Sequence, residues 1–569
     1  MPQQQRLISH IFIRVSGTDL DPGILDDLTR VVVDSNLHLP DMFVIRVHDE
    51  RLECLDRGPF ELGAAVEIGV KGEEGGAGTK LISGEITALE PDFAEGTQAT
   101  LTIRGYDRSH RLHRGTHSQA FTQVTDSDLA TRIAQSAGLR TDVDPTPQSY
   151  DHVLQDNQTH MAFLRARAKR IGYVVYARDR TLYFKRPQRE TAGTPLRLEW
   201  GDQLKVFRPR LTLAEQVDEV VVKGWDPKTK TEITGSATRS RASPEIGESR
   251  SGADLASSAF GNGRRIVVNQ PVTSQAEADA VAQALYDKAT GGFIEAEGIC
   301  NGTPELMAGK TIEITSLGQK LSGKYFVTSA THIYSADGDY TTEFSVHGSR
   351  PATLYHLLVP EPEETPARWG GVVTAIVTNN KDDKDQGRVK LKYPWLSNDV
   401  ETDWARVVGA GAGDKRGFFC LPEVNDEVLV AFEHGDVNRP VVLSGLWNGV
   451  DAPAVPVSEA VKDGKVWTRV FKTRSGHALT FVDGSDAKVR LETAGGHSLV
   501  LDDENTVIQV KTRDGNVLKL DDSDGSVTLS AKGDLTIEAD RAISIRAGTD
   551  MNLEATGRAV IKGATIDLN

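Results

Sequence analysis

Three histidines, His110, His113 and His117, stand in one short stretch and could offer imidazole nitrogens to a metal ion. Their spacing matches no helical metalloprotease motif, and Gly115 interrupts it, so packing or surface roles are expected. The acidic run Asp382-Asp-Lys-Asp-Gln-Gly387 invites a calcium reading. Lys384 is badly placed for one, and no glutamate stands at the closing position of an EF-hand loop. A solvated hairpin between two strands is the expectation there. Asp502-Asp-Glu504 and Asp521-Asp-Ser-Asp524 read as turn chemistry, with a possible second use in keeping copies from aggregating sideways. Cys54, Cys300 and Cys420 are far apart, give no disulfide framework and no metal spacing, and are expected to be buried, reduced thiols. No nucleophile elbow, phosphate loop or metalloprotease motif occurs. The chain is expected not to be an enzyme, with no cofactor, no metal and no catalytic residue.

The elements that would position any site are mostly strands. Residues 1 to about 110 carry strand-type runs such as Phe43–Val47 and Leu101–Tyr106, with a hairpin tip at Gly72–Gly78. From about 115 to 190 the pattern turns helical. Thr125-Asp-Ser-Asp128 opens one helix that stops at Gly138, and a second runs from about Thr159 to Arg170 before Gly172. The run Arg165, Arg167, Lys169, Arg170 reads as a solvated helix face. Strands return from 195 to 350, interrupted by a loop-like stretch at 237–264 and a helix that starts at Ser274-Gln-Ala-Glu277. Two related β-barrels flanking a helical insertion are expected. A proline-rich linker follows at 351–368, then a compact β unit at 369–450 and a second linker at 451–474.

The strongest periodicity lies at the end of the chain. Gly476-His-Ala-Leu-Thr-Phe481, Gly496-His-Ser-Leu-Val-Leu501 and Gly515-Asn-Val-Leu-Lys-Leu520 mark strand-turn-strand units about 20 residues long. From Gly533 a strict octad takes over, with Leu535 and Ile537, Ile543 and Ile545, Met551 and Leu553, then Ile561 at matched positions. Apolar residues two apart share one face of a strand. Eight residues span only about 26 Å, too little to wrap a coil around its own core when sheets pack about 10 Å apart. Three chains wound together, each giving one short strand per layer, are the expected solution: a homotrimeric needle. No proline follows Pro456, as a continuous ladder requires. The final unit, Ile566-Asp-Leu568, arrives one residue early, so Thr565, Ile566, Asp567, Leu568 and Asn569 are expected to present a surface for a separate cap.

The net charge of −16, from 65 basic and 81 acidic residues, argues against nucleic acid as a partner. No apolar run is long enough to span a membrane, and the N-terminus lacks a hydrophobic signal core, so assembly in the cytoplasm is expected.

Three stretches resemble a known family. Ile103-Arg-Gly-Tyr-Asp107 with Arg111-Leu-His-Arg-Gly115 resembles its N-terminal hub signature. Gln155-Asp-Asn-Gln-Thr-His-Met-Ala-Phe-Leu164, with Ala168 and Gly172, resembles its insertion. The most specific set is Gly387-Arg-Val-Lys-Leu391, Trp404-Ala-Arg-Val407, Pro422-Glu-Val-Asn-Asp-Glu-Val428, His434-Gly-Asp436 and Arg439-Pro440. It resembles, in order, an OB-type barrel of the VgrG-type spikes of contractile injection systems: phage tails, type VI secretion and extracellular injection systems. The resemblance implies a mainly β homotrimer: a tandem-barrel hub over 1–350 with an insertion at about 115–190, an OB-fold domain over 369–450, and a triple-stranded β-helix needle over 475–569. It implies a structural role at the tip of a phage tail-like particle, joining inner tube and hub-ring proteins, baseplate proteins, a PAAR-type tip protein and effector cargo, with a target membrane pierced mechanically. A lysozyme domain found in some relatives does not fit between 451 and 474, and no histidine pair follows His497 to hold a tip metal. A different class, a trimeric receptor- or glycan-binding fibre, is the alternative, since OB barrels also bind sugars. Against it, Phe481 is the only aromatic in the repeat.

Overall fold

The computed structural model describes residues 10–71, 78–95, 98–187, 195–226, 229–241, 245–272, 274–336, 340–346 and 369–567. The expected linker at 351–368, the hairpin tip at 72–77, and the last two candidate cap residues, Leu568 and Asn569, lie outside the described residues. The chain divides into two units, Met1–Leu446 and Trp447–Asn569.

Alternating apolar residues make the strands of the first unit. In Met42–His48 the side chains of Phe43, Ile45 and Val47 are fully buried, while Arg46 between them faces out. Eleven strands form one sheet in the order Leu204–Leu211, Ile294–Asn301, Tyr340–Val346, Ser329–Ser335, Leu28–Asn36, Met42–His48, Gln98–Asp107, Thr79–Ala94, Ala65–Lys71, His10–Val15, Thr18–Asp19. The N- and C-terminal halves of this region meet where Ser329–Ser335 pairs antiparallel with Leu28–Asn36. Two cores lie on the sheet, one around Val31, Ile45, Ile68 and Ile103, the other around Leu204, Ile294, Ile312 and Phe344. The eleven-stranded sheet joins the two halves of this region, and beside it stand a four-stranded sheet of Leu196–Glu199, Thr311–Thr315, Gly323–Phe326 and Glu245–Ile246 and a three-stranded sheet of Thr231–Ala237, Glu219–Asp226 and Arg264–Val267. Gly105, within the hub signature, has a reason to be glycine. A Cβ there would stand 2.2 Å from the Glu85 carbonyl oxygen and 2.3 Å from Phe43 Cζ.

The insertion is α/β rather than helical. Strands His117–Thr125 and Ser149–Gln158 pair, and a three-stranded sheet of Arg140–Val143, Val174–Arg178 and Thr181–Lys185 packs with helices Asp126–Ser136 and His160–Arg170. Both helices start at the expected threonines: Thr125 forms a full capping box with Asp128, and Thr159 accepts from the Ala162 N–H. The stretch expected to be a loop at 237–264 contains the helix Gly252–Phe260, which Ser251 and Asp254 cap reciprocally. A capping box in a Ser/Gly/Ala-rich run was the overlooked signal.

Residues 372–445 form a closed five-stranded barrel: Val372–Asn379, Arg388–Lys392, Ala405–Val407, Pro440–Gly445, Glu427–Phe432. Val377, Val389, Leu391, Ala405, Val428 and Val430 fill it.

In the second unit, the stretch expected to be a linker holds a short helix, Val457–Ala460, and a small hairpin. It also holds Thr468–Lys472, the first strand of a seven-stranded antiparallel sheet whose order follows the chain to Ser526–Ser530. Among the described residues, 531–567 pair with no strand of their own chain. The octad residues expected to form strands have no intrachain partner, and a ladder needs one.

Candidate functional site: a sheet face without a partner

Register puts the apolar residues of the C-terminal sheet in line. Phe471, Leu479, Leu491, Leu499, Val510, Leu518 and Leu529 sit opposite one another from strand to strand. Two residues along, Phe481, Val489, Leu501, Ile508, Leu520 and Val527 form a second row on the same face. None of these side chains is buried in the single chain, and Val527 is 68% exposed. The octad continues the pattern. Leu535, Ile537, Ile543, Ile545, Met551, Leu553 and Ile561 are all exposed, up to 84% at Leu553. Of the candidate cap residues, Thr565, Ile566 and Asp567 are exposed as well. Monomeric proteins rarely leave a contiguous apolar stripe of this length in water.

The residues singled out for chemistry are occupied otherwise. Glu85, nearly buried, gathers His110 Nε2 at 3.0 Å and Arg111 Nη2 at 2.7 Å, with Arg108 at 3.3 Å. Burial works against the charge of Glu85, but the hydrogen bonds from His110 and Arg111 and the charges of Arg111 and Arg108 outweigh it and hold its carboxyl below the usual range. His117 stacks on His160, ring centroids 3.8 Å apart. Burial, with Arg165 nearby, pushes His113 down to about 4, so it is neutral at pH 7. The acidic loop is a hairpin end. Asp382 takes a two-pronged contact from Arg388, Nη2 to Oδ1 at 2.7 Å and Nε to Oδ2 at 2.9 Å, and accepts the backbone N–H groups of Lys384 and Gln386. Those bonds hold its carboxyl well below the usual carboxylate range. Asp502 accepts from the Asn505 backbone, and Asp521 from Ser523, as turn residues do. Cys54 and Cys300 are buried; Cys420 is exposed, contrary to expectation, because it sits in the all-exposed stretch 410–420 that leaves the barrel.

The arginine run on His160–Arg170 corrects the reading of a solvated face. Arg167 Nε donates to the buried Asp126 Oδ1 at 2.6 Å and stacks 4.3 Å over Tyr150. Arg170 Nη2 donates to Glu277 at 2.7 Å and to the Pro271 carbonyl. Burial opposes the charge on Arg167, yet Asp126 outweighs it and the proton is held more tightly than usual. Asp126 is the first residue of one helix and Glu277 lies in the first turn of another. The two arginines, in the last turn of their own helix, therefore staple it to the N-terminal turns of two others.

A second unforeseen set joins the insertion to the barrel. On the strand Ser149–Gln158, alternate residues reach across. His152 Nε2 lies 2.9 Å from the Glu401 carbonyl, the Leu154 N–H donates to Asn438 Oδ1 at 2.8 Å, and Asp156 accepts from the Trp369 indole N–H. Asn438 falls between two of the barrel motifs, His434-Gly-Asp436 and Arg439-Pro440, which otherwise serve the barrel itself: Arg406 and Arg439 both pair with Glu433.

Comparison with known proteins agrees with this geometry. Residues 47–335, just over half of the 569-residue chain, match the family described as Alg8 N-terminal domain. Residues 373–447 match the family described as Type VI secretion system/phage-baseplate injector OB domain. The actin cross-linking toxin VgrG1 of Vibrio cholerae is 24% identical over 198 residues, 32% of this chain and 18% of that protein. The type VI secretion system spike protein VgrG1a of Pseudomonas aeruginosa is 36% identical over 86 residues, 14% of this chain and 13% of that protein. The matched stretches thus span about a fifth or less of these relatives' lengths. A solved chain from the Francisella PdpA–VgrG complex, lidded form, shares the fold with a TM-score of 0.52 at 8% identity, over 89% of this chain and 80% of that one. Fold, matched regions and relatives converge: the chain belongs to the Alg8 N-terminal domain family and, with its injector OB domain, to the VgrG-type spike proteins of contractile injection systems.

Proposed function

We propose that three copies of this chain form the structural spike at the tip of a contractile injection machine. The observation that carries this is the pair of aligned apolar rows, continued by the octad, with no partner in the chain. Three such faces turned inward make a closed, dry core, and the octad layers extend it as a triple-stranded β-helix. Each buried side chain contributes roughly 1.5–3 kcal/mol. Leu535, Ile537, Ile543, Ile545, Met551, Leu553 and Ile561 form the needle core in this reading, and residues 565–569 seat a PAAR-type cap. The region over 1–350 is the hub that meets inner-tube proteins and the baseplate, and 369–450 is the collar. Effector cargo travels with the spike, and the target membrane is pierced mechanically.

The role is structural rather than catalytic. Support comes from the engagement of the candidate groups: Glu85 by Arg111 and His110, Asp382 by Arg388, His117 by His160. No helix among the described residues is long and apolar enough to cross a membrane. Assembly in the cytoplasm, followed by export as part of a particle, belongs to the same proposal. The mass of the full chain in solution tests it. A three-copy species that persists on dilution is expected, and a monomer at micromolar concentration would sink the reading.

A further inference from the structure

Three turns along one edge of the C-terminal sheet are built alike, each closing four residues after a threonine: Thr473 to His477, Thr493 to His497, Thr512 to Asn516. In each, the threonine N–H donates to the carbonyl of the closing residue, at 2.9, 3.0 and 3.0 Å. The closing N–H donates back to the threonine Oγ1, at 3.1, 3.1 and 3.0 Å. The glycine just before has φ of +94°, +88° and +96°, a left-handed conformation that side chains resist. The closing side chain then reaches out of its own turn. The Ala494 N–H donates to His477 Nδ1 at 3.2 Å, the Arg513 N–H to His497 Nδ1 at 3.4 Å, and the Lys532 N–H to Asn516 Oδ1 at 2.8 Å. In the first two cases the donor is the residue after the next turn's threonine. In the third it follows the last strand of the sheet.

We propose that His477, His497 and Asn516 are positioning residues, side-chain clasps that tie each turn to the next along this edge, and that acid opens the two histidine clasps but not the asparagine one. An imidazole Nδ1 accepts only while it carries no proton; once protonated it is a donor facing another donor. An amide oxygen has no such state. The charged groups around the first clasp are Lys472, Arg474 and Glu492, with Lys472 and Glu492 both opposite Ala478. Around the second they are Glu492 and Lys511, both opposite Ser498, with Arg513 and Asp514, whose side chains pair at 3.0 Å. Lys532 carries the third. The clasps are contacts within one chain.

Amide hydrogen exchange on the full chain, expressed as protection factors at about pH 8 and about pH 5, reads each clasp separately. The Ala494 and Arg513 amides are expected to lose about fivefold in protection at the lower pH, the equilibrium weight of one ordinary hydrogen bond, while the Lys532 amide keeps its own. In His477→Asn/His497→Asn, which copies the asparagine clasp, the loss at Ala494 and Arg513 disappears. Equal protection of all three amides at both pH values overturns the proposal, as does a parallel fall at all three. So does an unchanged fall in the double variant.

Discussion

The five strands of the barrel and the seven strands of the C-terminal sheet are both short runs of alternating apolar and polar residues, yet they end up in opposite surroundings. In the barrel, Val377, Val389, Leu391 and Val428 are completely buried within one chain. In the sheet, residues of the same kinds at the same alternation, Leu491, Leu501, Val510 and Leu529, stay 40–55% exposed. Strand order makes the difference. The barrel's last strand, Pro440–Gly445, lies between Ala405–Val407 and Glu427–Phe432, so the sheet returns on itself and its apolar face becomes an interior. The C-terminal sheet only adds each strand to the previous one, so its face never meets another. One region closes on itself; the other leaves its apolar face open in the single chain.

The largest effect that would break this comparison is an acid on the open face. Leu501→Asp or Ile545→Asp is expected to abolish the three-copy species, read as mass in solution, while barrel and hub keep their fold. If either variant assembles with unchanged melting behaviour, the core assignment is wrong. Next comes the staple inside the first unit. Arg167→Met leaves Asp126 buried without its cation and is expected to cost about 3–5 kcal/mol in denaturant unfolding of that unit, with the mass untouched. A matched pair of truncations sharpens the contrast further. Leu391→Ala should cost about 2–5 kcal/mol at any protein concentration and leave the mass in solution unchanged, whereas Leu501→Ala should make the three-copy species dissociate at dilutions where the parent chain still holds together. The smallest effect belongs to the hairpin end of the barrel. The folded chain keeps Asp382 ionised where an unfolded chain, with an ordinary carboxyl near about 3.9, takes up a proton. Its stabilisation is therefore complete above that pH and lost as the pH falls further. Asp382→Asn should remove about 1.5–3 kcal/mol at pH 7 and flatten the acid limb of the barrel's unfolding curve.

What the sequence discloses and what it withholds divide along the same line. Local rules name local features. Thr125 and Thr159 mark their helix starts, the glycines at 476, 496 and 515 mark the turns of the sheet, and the acidic run at 382–387 marks a hairpin. The octad is plain in the sequence because its apolar residues recur at a fixed spacing. Arg167 and Arg170 do not read directly. Their partners, Asp126 and Glu277, lie 41 and 107 residues away, and nothing in an Arg-rich helix says that two distant helix N-termini will close over it. The fusion of the two hub halves hangs on a pairing such as Thr331 with Asp34, 297 residues apart, which no periodicity announces. Among the candidate site residues, the apolar rows were visible as a pattern, but their common face depends on register, which the turns set.

The chain-order stacking of the seven strands has a mechanical consequence. Ladder hydrogen bonds in an antiparallel pair run perpendicular to the strands, so here every one of them lies along the direction in which the sheet grows, bond after bond in series. A push in that direction presses neighbouring strands together, against the backbone contact that already sets their spacing. A pull in the same direction needs to part only one pair of strands, five residues wide, at the weakest rung. Such a sheet is a strut, strong in thrust and weak in withdrawal.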